Sequence, residues 1–228
     1  MKALIISDIH ANITALEAVW AQESDADVII CLGDIVDYGI HPAECCEWLM
    51  DKQALVVAGN HDQLVTAAYD RPEDHEVLTW RVDNARKLSA QHIAYLKGLP
   101  EHLVYHMNGH DYGLSHSYVG YETIQSLEAF TAFAQQRFHR PVQRMLFGHT
   151  HRRGLHYLSD QHAWLNPGSV SYRRPDELGR GADYAVLCDG EISLRRVPYA
   201  TEHLHRAVQA AAVNDQEKAV TIPWWSPQ

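Results

Sequence analysis

Five polar clusters in this chain combine carboxylates, imidazoles and one carboxamide: Asp8-Ile9-His10, Gly33-Asp34-Ile35-Val36-Asp37, Gly59-Asn60-His61-Asp62, Ser115-His116 and Gly148-His149-Thr150-His151. That donor mixture suits borderline divalent cations. Calcium would take oxygen alone, and a structural zinc site would favour thiolates. Asp8 and His10 alternate along an extended segment, as do His149 and His151, so the members of each pair can face one ion. Asn60 is informative because a side-chain amide oxygen ligates without adding charge. Each cluster alone has a plainer reading. Asp34 suits a turn and Asn60 an N-cap. Asp37 could hold a loop or a histidine as readily as an ion. In order, each at the end of an apolar run, the clusters point to one metal site.

Regular elements must bring these clusters together. The apolar runs 3–7, 28–32 and 54–58 read as buried strands, each ended by one of the first three clusters. Helical periodicity fills 13–23, and Pro42 opens a helix over 42–51. Strand, polar loop and helix thus recur three times. That predicts a mostly parallel sheet covered on both faces, with ligands beyond the carboxyl ends of its strands. Residues 75–97 predict one broken or two short helices, 121–138 a further helix, and 143–147 a strand. Asn108-Gly109 and Asp189-Gly190 mark hairpin turns. The segments 154–158, 162–165, 182–188 and 191–196 read as antiparallel strands. A helix near 201–213 precedes a short tail over about 214–228. The tail carries Trp224-Trp225, which is too apolar to hang free and should pack on its own domain or on a partner subunit. With no repeat or linker, residues 1–228 read as a single domain, with a helical cap-like insertion over about 63–100.

The 228 residues are 46% apolar and 21% charged, the balance of a globular protein. The net charge of −10 and the lack of a basic stripe argue against duplex nucleic acid as a partner. No apolar run approaches the ~20 residues of a membrane span. Too few apolar residues precede Asp8 for a secretory leader, and the four cysteines show no CxxC spacing. A reducing cytoplasm is expected.

The ordered set Asp8-x-His10, Gly33-Asp34-x-x-Asp37, Gly59-Asn60-His61-Asp62, His116 and Gly148-His149-x-His151 resembles the calcineurin-like metallophosphoesterase superfamily. Ser7-Asp8-Ile9-His10-Ala11-Asn12, Asp37-Tyr38-Gly39 and Asn166-Pro167-Gly168-Ser169-Val170 are similar to its small bacterial and archaeal members. The resemblance covers roughly residues 1–197. It implies an α/β protein, a four-layer α/β/β/α sandwich with a dinuclear metal centre. Asp8, His10 and His151 would hold one ion, Asn60, His116 and His149 the other, and Asp34 would bridge them. Manganese is the expected ion; iron, nickel, cobalt and zinc stay open. Two such ions outweigh the charges of Asp8 and Asp34, so an anionic chain can carry a cationic pocket. His110 begins the same extended segment as His116 and competes with it as a ligand. Ser117 stands where many relatives place glycine.

The implied reaction is hydrolysis of a small phosphodiester or nucleotide through a metal-bridging hydroxide. Phosphomonoesters, phosphoproteins among them, and diadenosine polyphosphates are the alternatives. The complete ligand set disfavours a metal-free scaffold. The resemblance sets His61 over the site, as proton donor to the leaving oxygen, and Asp62 or Asp37 would orient an imidazole. Candidate substrate contacts are Trp80 and Arg81 in the insertion, and Arg173 and Arg174 after the Asn-Pro-Gly turn. An aromatic ring there would stack a base and an arginine would hold a phosphate. The expected partner is a small phosphorylated substrate, with neither duplex nucleic acid nor membrane, and self-association stays open.

Overall fold

Along β1 (Lys2–Ile6), Ala3 and Ile5 join one apolar cluster while Leu4 and Ile6 join another. The same alternation runs through β2 (Val28–Cys31) and β9 (Ala182–Cys188). Side chains of a strand point alternately to opposite faces, so a strand apolar throughout must be covered twice. This sheet is therefore an inner layer. The computed structural model describes residues 1–74, 76–117, 122–172, 174, 176 and 179–226.

The first sheet has the order β10-β9-β1-β2-β3, with β3 at Leu55–Val56 and β10 at Glu191–Val197. β1, β2 and β3 are parallel and are joined by α1 (Ile13–Gln22) and α2 (Pro42–Asp51), with Pro42 in the first turn as expected. The C-terminal hairpin completes this sheet: β9 pairs antiparallel with β1, placing Ile5 opposite Ala185. The second sheet has the order β4-β5-β6-β8-β7, from β4 (His102–Met107), β5 (His110–Ser115), β6 (Arg144–Phe147), β7 (Gly154–Tyr157) and β8 (Ala163–Asn166). Asn108 and Gly109 both take positive φ, 50° and 79°, and close the β4–β5 hairpin with Met107 opposite His110. β7–β8 and β9–β10 are antiparallel as read, but β8 runs parallel to β6 and the two hairpins belong to different sheets.

The sheets face each other across Ile5, Ile30, Leu32, Val57, Leu114, Leu146, Leu165 and Leu187. The outer face of the second sheet carries α6 (Leu127–Phe138), packed through Phe130 and Phe133 on Phe147 and Trp164. Ser126 caps α6 by accepting from the Ala129 N–H, so the helix starts later than the 121–138 reading; residue 121 lies outside the described residues. The outer face of the first sheet carries α1, α2 and the helices of the 63–100 stretch: α3 (Asn60–Asp70), α4 (Trp80–Lys87) and α5 (Ala90–Gly98). Val65, Val82, Ala85, Ile93 and Leu96 share a core with Leu4 and Ile6. The stretch read as a cap thus builds the outer helical layer. The result is the four-layer α/β/β/α sandwich.

The C-terminal stretch is helical. α7 (Glu202–Ala210) is followed by α8 (Asp215–Trp225), where a short tail was expected. Asn214 caps α8, its Oδ1 accepting from the Glu217 N–H at 3.0 Å. Trp224 and Trp225 bury themselves with Trp80, Leu204 and Val208. Trp80 is fully buried, and its indole N–H donates to Thr221 Oγ at 3.1 Å. It pins α8 to α4 and does not reach a substrate. Trp80→Ala is expected to cost about 3–5 kcal/mol and Trp80→Phe about 1 kcal/mol, for the lost cavity filling and the lost hydrogen bond respectively. Urea unfolding checks both; an unchanged midpoint for Trp80→Ala would show that α8 does not depend on this ring.

Candidate metal centre

Asp8, His10, Asp34, His149 and His151 share an unusual backbone: φ lies between 46° and 69° at all of them. Ala11, Asp37 and Tyr38, in the same loops, are also left-handed. Such a conformation costs a non-glycine residue about 1–2 kcal/mol. It turns the chain sharply just past each strand, so that alternate side chains fold back over the sheet ends. The loops are tied together in place. Asp8 and His10 N–H donate to the Gly33 and Asp34 carbonyls, both at 3.0 Å. Ser169 Oγ donates to the Asp8 carbonyl at 2.8 Å, and Asn166 Nδ2 to the Gly148 carbonyl at 2.7 Å.

The converging atoms form two groups that share Asp34. One is Asp8, His10, Asp34 and His151; the other is Asp34, His116 and His149. Within each, the candidate ligand atoms lie no more than 4.8 Å apart. Asn60 joins the second group, its Oδ1 lying 2.9 Å from His149 Nδ1 and 3.1 Å from His116 Nε2. His110 sits at the opposite end of β5, so His116 is the imidazole that enters the cluster.

The donor chemistry fits cations. His10 Nδ1 lies 3.3 Å from the Val36 carbonyl oxygen, and His116 Nδ1 lies 2.6 Å from that of Leu32. A carbonyl only accepts, so each Nδ1 keeps a proton and each ring turns its Nε2 inward. His10 Nε2 then faces His151 Nε2 at 3.3 Å, and His116 Nε2 faces Asp34 Oδ2 at 3.1 Å. Asp34 Oδ2 is buried, with the Nε2 atoms of His116 and His10 facing it at 3.1 and 3.9 Å. Lone pairs crowded in this way repel unless positive charge sits among them. Protons supply part of it: burial opposes a charged His116, yet the nearby Asp34 carboxylate lifts its pKa to about 10. Burial holds His10 down at about 4, so its ring stays a neutral donor. Asp34 is depressed despite its burial, chiefly by the charge and the hydrogen bond of the His116 imidazole. Two divalent-cation sites are thus present side by side.

Around them, Asp62 anchors the loops. Its carboxylate accepts from the N–H groups of Asp34 (3.0 Å), Ile35 (2.8 Å), Val36 (3.2 Å) and Gly59 (2.9 Å). Those partners are backbone amides, so Asp62 orients a loop where an imidazole was expected. Asp37 is the carboxylate that meets a ring, with Oδ2 2.8 Å from His61 Nδ1. A cavity of about 400 Å³ opens above the cluster, walled by His61, Tyr38, Tyr172, Trp224 and Arg174. Arg81 is not among the lining residues; its Nε lies 3.8 Å from Asp37 Oδ2. Arg174 donates to the Thr150 carbonyl at 2.8 Å; Arg173 lies outside the described residues. Sequence reasoning missed Tyr38, Tyr172 and Trp224 as cavity walls; Tyr38 directly follows Asp37, which was the available signal.

Glycine matters at position 59. A Cβ there would stand 2.1 Å from Asp34 Oδ1 and 2.2 Å from the Asp34 nitrogen. Gly59→Ala must push Asp34 away from both cation groups. The variant is expected to stay folded by circular dichroism yet bind far less manganese by elemental analysis; wild-type loading would show that Asp34 is free to shift.

A profile of the calcineurin-like phosphoesterase superfamily domain matches residues 1–188. An uncharacterized protein of Methanocaldococcus jannaschii is 29% identical over 217 residues, 86% of each chain. The crystal structure of a metallophosphoesterase from Sphaerobacter thermophilus aligns over 99% of this chain and 100% of its own, with a TM-score of 0.77 and 25% identity. That of a hypothetical protein from Pyrococcus horikoshii OT3 aligns over 96% and 97%, with a TM-score of 0.79 at 16% identity, a likeness of fold. With two cation groups built on the ends of its sandwiched strands, the chain belongs to the calcineurin-like phosphoesterase superfamily.

Proposed function

We propose that this metal-dependent phosphoesterase hydrolyses a small phosphodiester or nucleotide, with manganese as its working ion. The carrying observation is the cavity that continues from the cation groups past His61 to Tyr38, Tyr172 and Trp224. A monoester needs cations around its oxygens and little more. A diester brings two organic groups, and an aromatic wall beside the phosphate position suits one of them.

Asp8, His10 and His151 would hold one ion, Asn60, His116 and His149 the other, with Asp34 between them. Bound there, two divalent ions would neutralise phosphoryl oxygens and lower the pKa of water. His61 supports departure of the leaving group. Its Nδ1 is engaged by Asp37, which leaves Nε2 for the cavity it lines. Burial opposes its protonation, but the Asp37 hydrogen bond and the Asp34 charge outweigh it and raise its pKa. An imidazolium so placed holds a proton for the departing ester oxygen. Asp37 is itself fixed by Asn84, whose Oδ1 accepts the Asp37 N–H at 3.0 Å and whose Nδ2 donates to the Gly39 carbonyl at 2.9 Å. A cytoplasmic setting is supported by four free cysteines. Among the described residues no helix is long and apolar enough to cross a membrane.

Asp34→Asn is expected to lose bound metal and activity together, since both groups share that carboxylate. His61→Ala should keep its metal and lose about 10²-fold in kcat; undiminished turnover in the loaded variant would remove the proton-donor role. Initial rates on bis(p-nitrophenyl) phosphate and p-nitrophenyl phosphate, side by side in Mn²⁺, test the substrate class. The diester should be cleaved faster, and a clear excess on the monoester would overturn the phosphodiesterase reading.

A further inference from the structure

Helix α8 lies beyond residues 1–188, the part matched by the superfamily profile, yet it reaches the cation groups. The ring of Trp224 lies 4.4 Å from that of Tyr172, 5.1 Å from that of Tyr38 and 5.9 Å from that of His10. It meets both tyrosines edge-on, at 76° and 65°, a favoured arrangement for aromatic pairs. Trp224 itself is only 5% exposed, so it offers little free face to a ligand. Tyr38 and Tyr172 are half-buried and line the cavity. Each tyrosine also touches an imidazole of the site, Tyr172 that of His151 at 4.4 Å and Tyr38 that of His61 at 4.7 Å. Trp224 is therefore the wedge that sets the spacing of two aromatic walls, one beside a cation ligand and one beside the proton donor. The wedge is held from behind: Asn214 N–H donates to the Leu78 carbonyl at 3.0 Å, and Trp80 bonds Thr221.

Resting on the phosphoesterase reading, we propose that this aromatic trio selects phosphoesters whose organic group is a flat ring, an aryl group or a nucleobase. Tyr38 and Tyr172 meet that ring, and Trp224 is a positioning residue that acts through them. Ring stacking on aromatic side chains tolerates many ring types, because every base presents a π face. The preference therefore concerns flatness more than one particular base.

The test uses phenylphosphonate and methylphosphonate, which carry the same charged group and cannot be hydrolysed at phosphorus as esters. Titration calorimetry gives their Kd values for the manganese-loaded protein, with manganese content measured on each sample. Wild type should bind phenylphosphonate about tenfold more tightly than methylphosphonate. Trp224→Ala should shrink that ratio to about twofold, and Trp224→Phe should restore most of it. Tyr172→Ala, at a half-buried position, gives the same readout if Trp224→Ala fails to fold. A ratio near one in wild type overturns the inference and leaves the phosphoesterase reading intact. A wild-type ratio retained in folded, loaded Trp224→Ala and Tyr172→Ala overturns it as well. Failure of the loaded wild type to bind either phosphonate overturns the phosphoesterase reading itself.

Discussion

The buried carboxylate of Asp62 gathers four backbone N–H groups from two loops, and the rest of the site depends on it. Gly59 follows β3, and Asp34, Ile35 and Val36 follow β2. One side chain thus fastens the ends of two neighbouring strands. Burial and the neighbouring Asp34 charge push its pKa up to about 7, while the Gly59 and Val36 amides pull the other way. An acceptor facing so many donors is well satisfied, and removing it would leave several buried amides unpaired. Because the same knot fixes the backbone of Asp34, it also fixes the carboxylate shared by both cation groups.

Backbone strain is the counterpart of that knot. Left-handed turns at Asp8, His10, Asp34, His149 and His151 are unfavourable one by one, and they cluster where side chains must double back over the strand ends. Hydrogen bonds from Ser169 and Asn166 hold two of these turns from the far side of the cluster. The strained loops and their anchors therefore form one cooperative unit. Positive charge among the inward lone pairs stabilises that unit further, so cation binding and loop order are coupled.

Much of this was legible in the sequence for a local reason. A doubly covered strand is continuously apolar, and its end is marked by the first polar cluster; Asp8, Asp34, Asn60 and His149 all follow such runs. Other features depend on partners distant in the chain. Trp80 has the spacing of a helix core residue, but its partner Thr221 lies 141 residues on, and nothing local distinguishes a wall from a pin. The direction of β8 relative to β6 is set by packing between sheets, and no residue pattern records it. Helix α8 was obscured by Pro223, a residue that ordinarily argues against a helix interior. Asp62 was misread for a different reason. It was one of two carboxylates, with Asp37, expected to orient an imidazole, whereas its position three residues after Gly59 is that of a side chain folding back on its own helix start.

The site divides along the same line. The candidate ligand atoms sit just past strands or at the start of α3, where the sheets and the Asp62 knot limit movement. The aromatic wall is completed by α8, an element outside the sandwich and fastened to it through Trp80 and Leu78. The wall touches the strand-end imidazoles through Tyr38 and Tyr172, whereas the strand ends are tied to one another through Asp62, Ser169 and Asn166. A fold of this kind can hold its metal chemistry constant while its organic-group selectivity drifts, and functional differences on a shared fold arise in that way. The burial of Trp224 follows from the same logic: a residue that only positions other rings gains nothing from exposure, and buried it fixes their spacing without competing for the ligand.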